Sequence, residues 1–237
     1  IVTATPLSNI YSENGAGKGC IGIDGKNYKT DMDNADELIG MYVKAYVFKD
    51  GSLSGKVLYA QQDNPKEVLK IRSEDIKSVD AKLQSLSYTD SNNKKKTVSI
   101  NPGAAVLYNG VLCESCTAAD FMTDGGEVEL IDNNASEGGY DVVRIWVSSV
   151  ILADSVSAEG KFVQNLMTYD ASLGILKIDE DKSLITLDGK NISLTEIKRY
   201  DLLEAYLPKN PDSGYVRINV SRNENSGSVS LMSSGKV

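Results

Sequence analysis

The 237-residue sequence contains no histidine, and this single absence excludes several kinds of active site. Without an imidazole, the chain has no Ser-His-Asp or Cys-His nucleophilic centre and lacks the commonest zinc ligand. It also contains no glycine-rich phosphate loop, nucleophile elbow or dinucleotide fingerprint. A histidine-free glycosidase would need two carboxyls facing one cleft, whereas Asp179-Glu180-Asp181 lies in a predicted turn. We therefore predict no catalytic or cofactor-binding residues and no enzymatic activity.

Long apolar runs and an excess of positive charge are missing as well. No stretch approaches the roughly 20 apolar residues that cross a bilayer. The formal net charge of -8 repels nucleic-acid phosphates and anionic lipids. We expect no nucleic-acid partner and no membrane insertion. Residues Ile1 to Pro6 lack the basic and apolar regions of a signal peptide, which favours the interior of a longer or processed chain.

Short strands separated by turns are what the sequence has in abundance. Hydrophobic residues make up 41% and charged residues 24%, a globular composition rich in turn formers. Three dipeptides, Asp24-Gly25, Asn109-Gly110 and Asp188-Gly189, are strong hairpin signals, because both central positions of a type I′ turn need positive φ. The sequence therefore predicts an all-β fold.

The segments that follow these three turns resemble one another. Each runs through a possible helical turn into an apolar strand, a polar turn and a second strand. We predict tandem β-modules at 1–66, 67–149 and 150–237, each a small barrel or sandwich of about five short strands plus one helical turn. The third module would include the start of a further strand or unit at 226–231. The alternative is one continuous β-domain in which the similarity is accidental.

In the first and third modules, the strand after the helical turn carries a small alanine between two larger apolar residues. The matching trios are Val43, Ala45 and Val47, and Leu203, Ala205 and Leu207. Alternation places each trio on one face of its strand. The alanine would let a neighbouring element approach closely.

Several stretches resemble modules of Firmicute, clostridial-type cell-surface proteins, which are S-layer-like and often carry S-layer homology anchors. They are residues 35–44, 105–110, 128–133 with 139–143, and 197–203. Similar stretches occur in prophage virion proteins. The resemblance implies an extracellular, cell-surface or virion-surface location and a tandem architecture. It implies no activity, and no S-layer homology anchor is visible in the sequence.

Cys113 and Cys116 form the only C-x-x-C pair. Only Cys20 remains as a further thiol, so we do not expect a tetrahedral zinc site within one chain. A local disulfide in an oxidising exterior is one interpretation, and two buried thiols are the other. Cys20 lies in an apolar run and is predicted to belong to the core, with pairing to another chain as the alternative.

The segment 132–141 resembles a calcium loop, because oxygen ligands alternate at Asp132, Asn134 and Ser136. Val143 stands where such a loop needs a bidentate glutamate. A solvated hairpin tip is the favoured interpretation. Ca²⁺ is the best metal hypothesis that the sequence offers, and we predict no other metal or cofactor.

Trp146 is the only tryptophan, and alternation along its strand places it on one face with Arg144. That face would form a contact between modules or an exposed platform for sugar stacking.

The leading hypothesis for the function of the chain is a structural repeat region of a surface layer, fibre or filament, which associates with itself or with neighbouring modules. The alternative is an adhesin or phage tail module that binds surface carbohydrate.

Overall fold

The structure is a computed structural model that describes residues 1–6, 8–11, 15–32, 35–63, 67–133, 138–167, 173–209 and 216–222. The predicted all-β fold is confirmed, because these residues form three sheets and their helical segments are short 3-10 turns. No helix within these ranges is long and apolar enough to cross a membrane. The predicted start of a further unit at 226–231 lies outside the described residues.

The first sheet has five strands. They are β1 (Val2–Ala4), β2 (Cys20–Ile23), β3 (Lys26–Thr30), β4 (Val43–Val47) and β5 (Lys56–Gln62). Their order is β1-β2-β3-β5-β4, so β4 is an edge strand. Neighbouring strands are antiparallel except for β3 and β5, which are parallel. The 3-10 turns at Ala35–Leu38 and Gly51–Leu53 precede and follow β4.

The second sheet has seven strands. They are β6 (Glu67–Arg72), β7 (Ile76–Val79), β8 (Ser85–Thr89), β9 (Lys95–Tyr108), β10 (Val111–Leu112), β11 (Glu127–Asp132) and β12 (Tyr140–Trp146). Their order is β6-β11-β12-β9-β8-β7, with β10 paired to β9. The 3-10 turns at Ser73–Asp75 and Ala118–Met122 follow β6 and precede β11. The long strand β9 pairs with β8 through its first residues and with β12 through its later residues.

The third sheet also has seven strands. They are β13 (Ser149–Ser157), β14 (Phe162–Asn165), β15 (Ile175–Lys177), β16 (Ser183–Leu187), β17 (Lys190–Asn191), β18 (Leu202–Tyr206) and β19 (Val216–Ser221). Their order is β15-β14-β13-β18-β19-β16-β17. Here β13 divides its pairing between β18 and β14. The 3-10 turns at Glu180–Lys182 and Leu194–Glu196 precede β16 and follow β17.

The three predicted hairpin turns are present, and they have the same backbone conformation. Asp24, Asn109 and Asp188 have φ of 50, 49 and 51°, and the glycine that follows each also has positive φ. A non-glycine residue with positive φ costs conformational energy that Asn and Asp tolerate best. The Asp-Gly and Asn-Gly pairs are therefore what closes each hairpin.

The sheets share one plan after these turns, with one difference at the edge. A 3-10 turn and an antiparallel pair follow each hairpin, giving β4–β5, β11–β12 and β18–β19. In the second and third sheets the first strand of that pair has another antiparallel neighbour, β6 on β11 and β13 on β18. Within the described part of the chain, β4 has no such neighbour.

The buried apolar residues within the described ranges form three main clusters. The second and third sheets each enclose one, but the cluster of the first sheet also contains Leu107, Ile131 and Val142 from the second sheet. The first sheet therefore completes its core with side chains from its neighbour. Separate modules with boundaries at 66 and 149 stay a prediction.

Candidate functional site

Trp146 lies at the junction of the second and third sheets. Tyr206, on β18, packs edge-on against the indole, with ring centroids 5.9 Å apart and planes at 89°. The Arg217 guanidinium lies 5.7 Å from the indole centroid, a cation–π distance. Trp146 therefore contributes to an inter-sheet contact, although part of its surface remains open to solvent.

An open cleft of about 300 Å³ adjoins this contact. Its wall includes Trp146, Glu127, Glu204, Tyr206 and Arg217. Burial is the main cause that raises the pKa of Tyr206 to about 12, and a hydrogen bond with Glu204 adds to it. The Nε atom of Arg217 is buried and has no hydrogen-bond partner among the described residues. The cleft thus combines aromatic surface with carboxylates and a guanidinium group.

Arg144 is buried and does not line this cleft. Only 3% of the residue is exposed, and its Nη1 atom lies 3.3 Å from the Glu129 carboxylate and donates to the Glu37 carbonyl at 3.0 Å. Burial outweighs these partners and lowers the pKa of the guanidinium from its ordinary value. Arg144 therefore joins the first and second sheets and is not available as a sugar platform with Trp146.

Asn109 is a junction residue that the sequence marked only as a turn. Its side-chain amide donates to the carbonyls of Val147 and Leu207, at 2.8 and 2.6 Å, and its Oδ1 accepts from the Val147 N–H at 2.8 Å. These bonds connect the β9–β10 turn with the end of β18. Since the contact with Leu207 spans 98 positions, no local signal could have revealed it.

A second link between these sheets lies beside the cysteines. Cys113 and Cys116 are bonded as a disulfide, while Cys20 is a half-buried free thiol on β2. Lys209 donates to the Ser115 carbonyl at 3.3 Å, within the disulfide loop, and forms an ion pair with the Asp120 carboxylate. The disulfide loop therefore contacts the segment that follows β18.

The proposed calcium loop is only partly described. Asn134 and Ser136 lie outside the described residues, and Asp132 is buried at the end of β11. Asn133 donates to the Gly40 carbonyl at 2.6 Å and accepts from the Tyr42 N–H at 3.2 Å, which ties this loop to the start of β4. Within the described ranges no group of three or more acidic, histidine or cysteine side chains could hold a metal.

The acidic cluster at 179–181 supports a local turn. Asp179 caps the 3-10 turn by accepting from the Asp181 N–H at 3.3 Å, and Glu180 accepts from the Leu194 N–H at 2.5 Å. Glu180 and Asp181 also line a cleft of about 520 Å³ between the first and third sheets. These hydrogen bonds give Asp179 and Glu180 a structural role in the turn.

The β4–β5 hairpin, residues 42–62, carries a concentration of exposed apolar side chains. They are Tyr42, Tyr46, Phe48, Leu53, Leu58 and Tyr59, and Tyr46 is 62% exposed. The Tyr46 and Tyr59 rings lie 6.3 Å apart. A register shift between Tyr46 and Val47 leaves Leu58 outside the pairing, as in a β-bulge, and exposed beside Tyr59. We call this surface the hairpin patch.

Comparison of the chain with family models, with curated proteins and with solved structures finds no match in any of the three.

Proposed function

We propose that this chain is a non-catalytic structural region of an extracellular surface layer, fibre or filament, and that it associates with other copies of itself. The observation that carries this proposal is the hairpin patch. Large apolar side chains scattered singly over a surface are ordinary, but a contiguous exposed group is typical of an interaction site. Burying aromatic rings such as Tyr46 and Tyr59 would also provide favourable free energy for association.

The contacts between sheets support a structural role. The first and second sheets share a core cluster, and Arg144 and Asn133 bridge them. Asn109 and Trp146 connect the second sheet to the third. Such contacts limit relative motion of the sheets, which suits a structural element. The Cys113–Cys116 disulfide supports an oxidising, extracellular location.

Sedimentation velocity of the full chain over a wide concentration range tests self-association. We expect oligomers that grow with concentration, and at least tenfold weaker association when Leu58→Ser and Tyr59→Ser are combined. Tyr200→Ser is the matched control, because Tyr200 is at least as exposed as Leu58 and Tyr59 but lies outside the patch. A wild-type chain that stays monomeric throughout, with no assemblies by electron microscopy, would refute the proposal.

Carbohydrate binding in the Trp146 cleft is a second candidate function. The specific observation in its favour is the cleft wall, in which the Trp146 and Tyr206 rings lie beside the Glu204 carboxylate. Sugar hydroxyls need polar partners of this kind, and sugar rings pack on aromatic faces. A glycan array would detect binding that Arg217→Ala removes while the chain stays folded. Failure to bind any glycan would reject this candidate and leave the first unaffected.

A further inference from the structure

The edge strand β4 has an open side at a position that a strand occupies in each of the other sheets. β11 is covered by the antiparallel strand β6, and β18 by β13. The burial of the inward-facing side chains differs accordingly. Leu203 and Ala205 on β18 are completely buried, whereas Val43 and Ala45, the equivalent residues on β4, remain half-buried. The same apolar pattern therefore lacks one layer of packing in the first sheet.

The backbone of β4 is arranged to accept another strand. Its bonds with β5 involve even-numbered residues, since Asp63 N–H donates to Tyr42 and Phe48 N–H donates to Lys56. In an antiparallel ladder the alternate residues direct their N–H and C=O groups to the opposite side. Val43, Ala45 and Val47 thus direct theirs to the open edge, where the described residues supply no partner.

The sequence of β4 is complementary to itself in one antiparallel register. With Ala45 opposite Ala45 of a second copy, Val43 faces Val47 on the core side. On the outer side Lys44 faces Tyr46, and Tyr42 faces Phe48. Each pair is one that stabilises antiparallel strands: two β-branched residues, a cation with an aromatic ring, and two aromatic rings. This register places no like charges opposite each other.

We propose that β4 pairs with β4 of a second copy of this chain about a two-fold axis at Ala45, joining the two five-stranded sheets into one. Such a contact forms about six backbone hydrogen bonds and brings the two hairpin patches together at its margin. The edge also lacks the usual protection against pairing. It contains no proline, and its single charge, Lys44, is already neutralised by Asp63 at 2.7 Å. This inference rests on the proposed self-association and names its interface.

Proline at Ala45 provides a selective test. Because the Ala45 N–H faces the open edge, Ala45→Pro leaves the β4–β5 ladder intact but removes the central intermolecular bonds. We expect dimer affinity, measured by sedimentation equilibrium of the full chain, to fall about 30-fold or more. Ile175→Pro is the matched control, since Ile175 lies on the edge strand β15 and its N–H also faces away from the neighbouring strand. It should leave affinity unchanged.

Cysteine cross-linking tests the register without relying on a disruptive change. In a Cys20→Ser background, Ala45→Cys places two thiols at the two-fold axis, and mild oxidation should give a covalent dimer. Ile175→Cys should not cross-link. Covalent dimer from Ala45→Cys together with weakened association of Ala45→Pro supports the symmetric contact.

The possible failures are distinguishable. Association that is unchanged by Ala45→Pro, with no cross-link at position 45, overturns this interface but keeps the proposed function. Association that requires Leu231 instead, as judged by Leu231→Asp, assigns the edge to the C-terminal segment of another copy and also overturns the symmetric pairing. A wild-type chain that does not associate at all refutes the proposed function and the interface together.

Discussion

Removing the side chain of Asn109 should destabilise the junction between the second and third sheets more than a turn substitution normally does. The residue is buried, and its amide makes three hydrogen bonds, two with Val147 and one with Leu207. A buried hydrogen bond contributes about 1 kcal/mol net, so the loss of all three should cost about 3 kcal/mol. This cost is independent of the backbone conformation of the turn.

Two substitutions at Asn109 separate the side-chain bonds from the backbone strain. Asn109→Gly removes the bonds but accepts the positive φ of 49° without penalty, so it should cost about 3 kcal/mol. Asn109→Ala removes the same bonds and adds about 1 kcal/mol for the left-handed conformation. Asp188→Ala is the control for that strain alone, because Asp188 occupies the same turn position with φ of 51° and is exposed.

Urea unfolding, followed by circular dichroism and by the fluorescence of Trp146, provides the measurement. Trp146 is a local reporter because its ring lies beside Gly110, the residue that follows Asn109. A Cβ atom added to Gly110 would be 3.8 Å from that ring. We expect the free energies of unfolding to fall in the order wild type, Asp188→Ala, Asn109→Gly and Asn109→Ala. If Asn109→Gly costs no more than Asp188→Ala, the three bonds do not hold the junction and the reasoning is wrong.

Substitutions at three buried residues provide further predictions. Glu129→Gln should lower the free energy of unfolding in urea by about 3 kcal/mol, because it removes the carboxylate that is ion-paired with the buried Arg144 cation. Burial alone would raise the pKa of Asp201, but the ion pair with Arg222 and the interactions with the Lys198 N–H and charge together outweigh it and lower the pKa. That stabilisation is present above the unfolded carboxyl pKa of about 3.9 and is lost as pH falls through the lower folded value, so Asp201→Asn should flatten the loss of stability on acid titration. Ala205→Leu should lower the thermal midpoint through overpacking that costs about 1–3 kcal/mol, because Ala205 is fully buried.

Local signals in the sequence were sufficient for the hairpins and the all-β class. Asn-Gly and Asp-Gly pairs determine the turn conformation through the steric cost of positive φ, which acts over two residues. The alternation of Val43, Ala45 and Val47 likewise identifies a strand without reference to anything distant. These features depend on backbone geometry, so a single sequence predicts them well.

The partners of a strand could not be predicted in the same way. Alternation places Arg144 and Trp146 on one face of β12, yet Arg144 contacts Glu37 in the 3-10 turn before β4 and Trp146 contacts Tyr206 of the third sheet. The middle of β12 is buried almost throughout, so period-two alternation carries no information about which sheet covers each side chain. Long-range packing decides this, and it leaves no short-range trace in the sequence.

The comparison of β4 with β18 shows why strands with similar sequences need not be buried to the same extent. Val43 and Ala45 would be as completely buried as Leu203 and Ala205 if a strand covered β4, because the side-chain patterns match. Hydrophobic burial of that kind stabilises in proportion to the apolar area removed from water. The free energy that the third sheet gains from β13 is therefore still available to the first sheet, and pairing with a second copy is a way to obtain it without any change of fold.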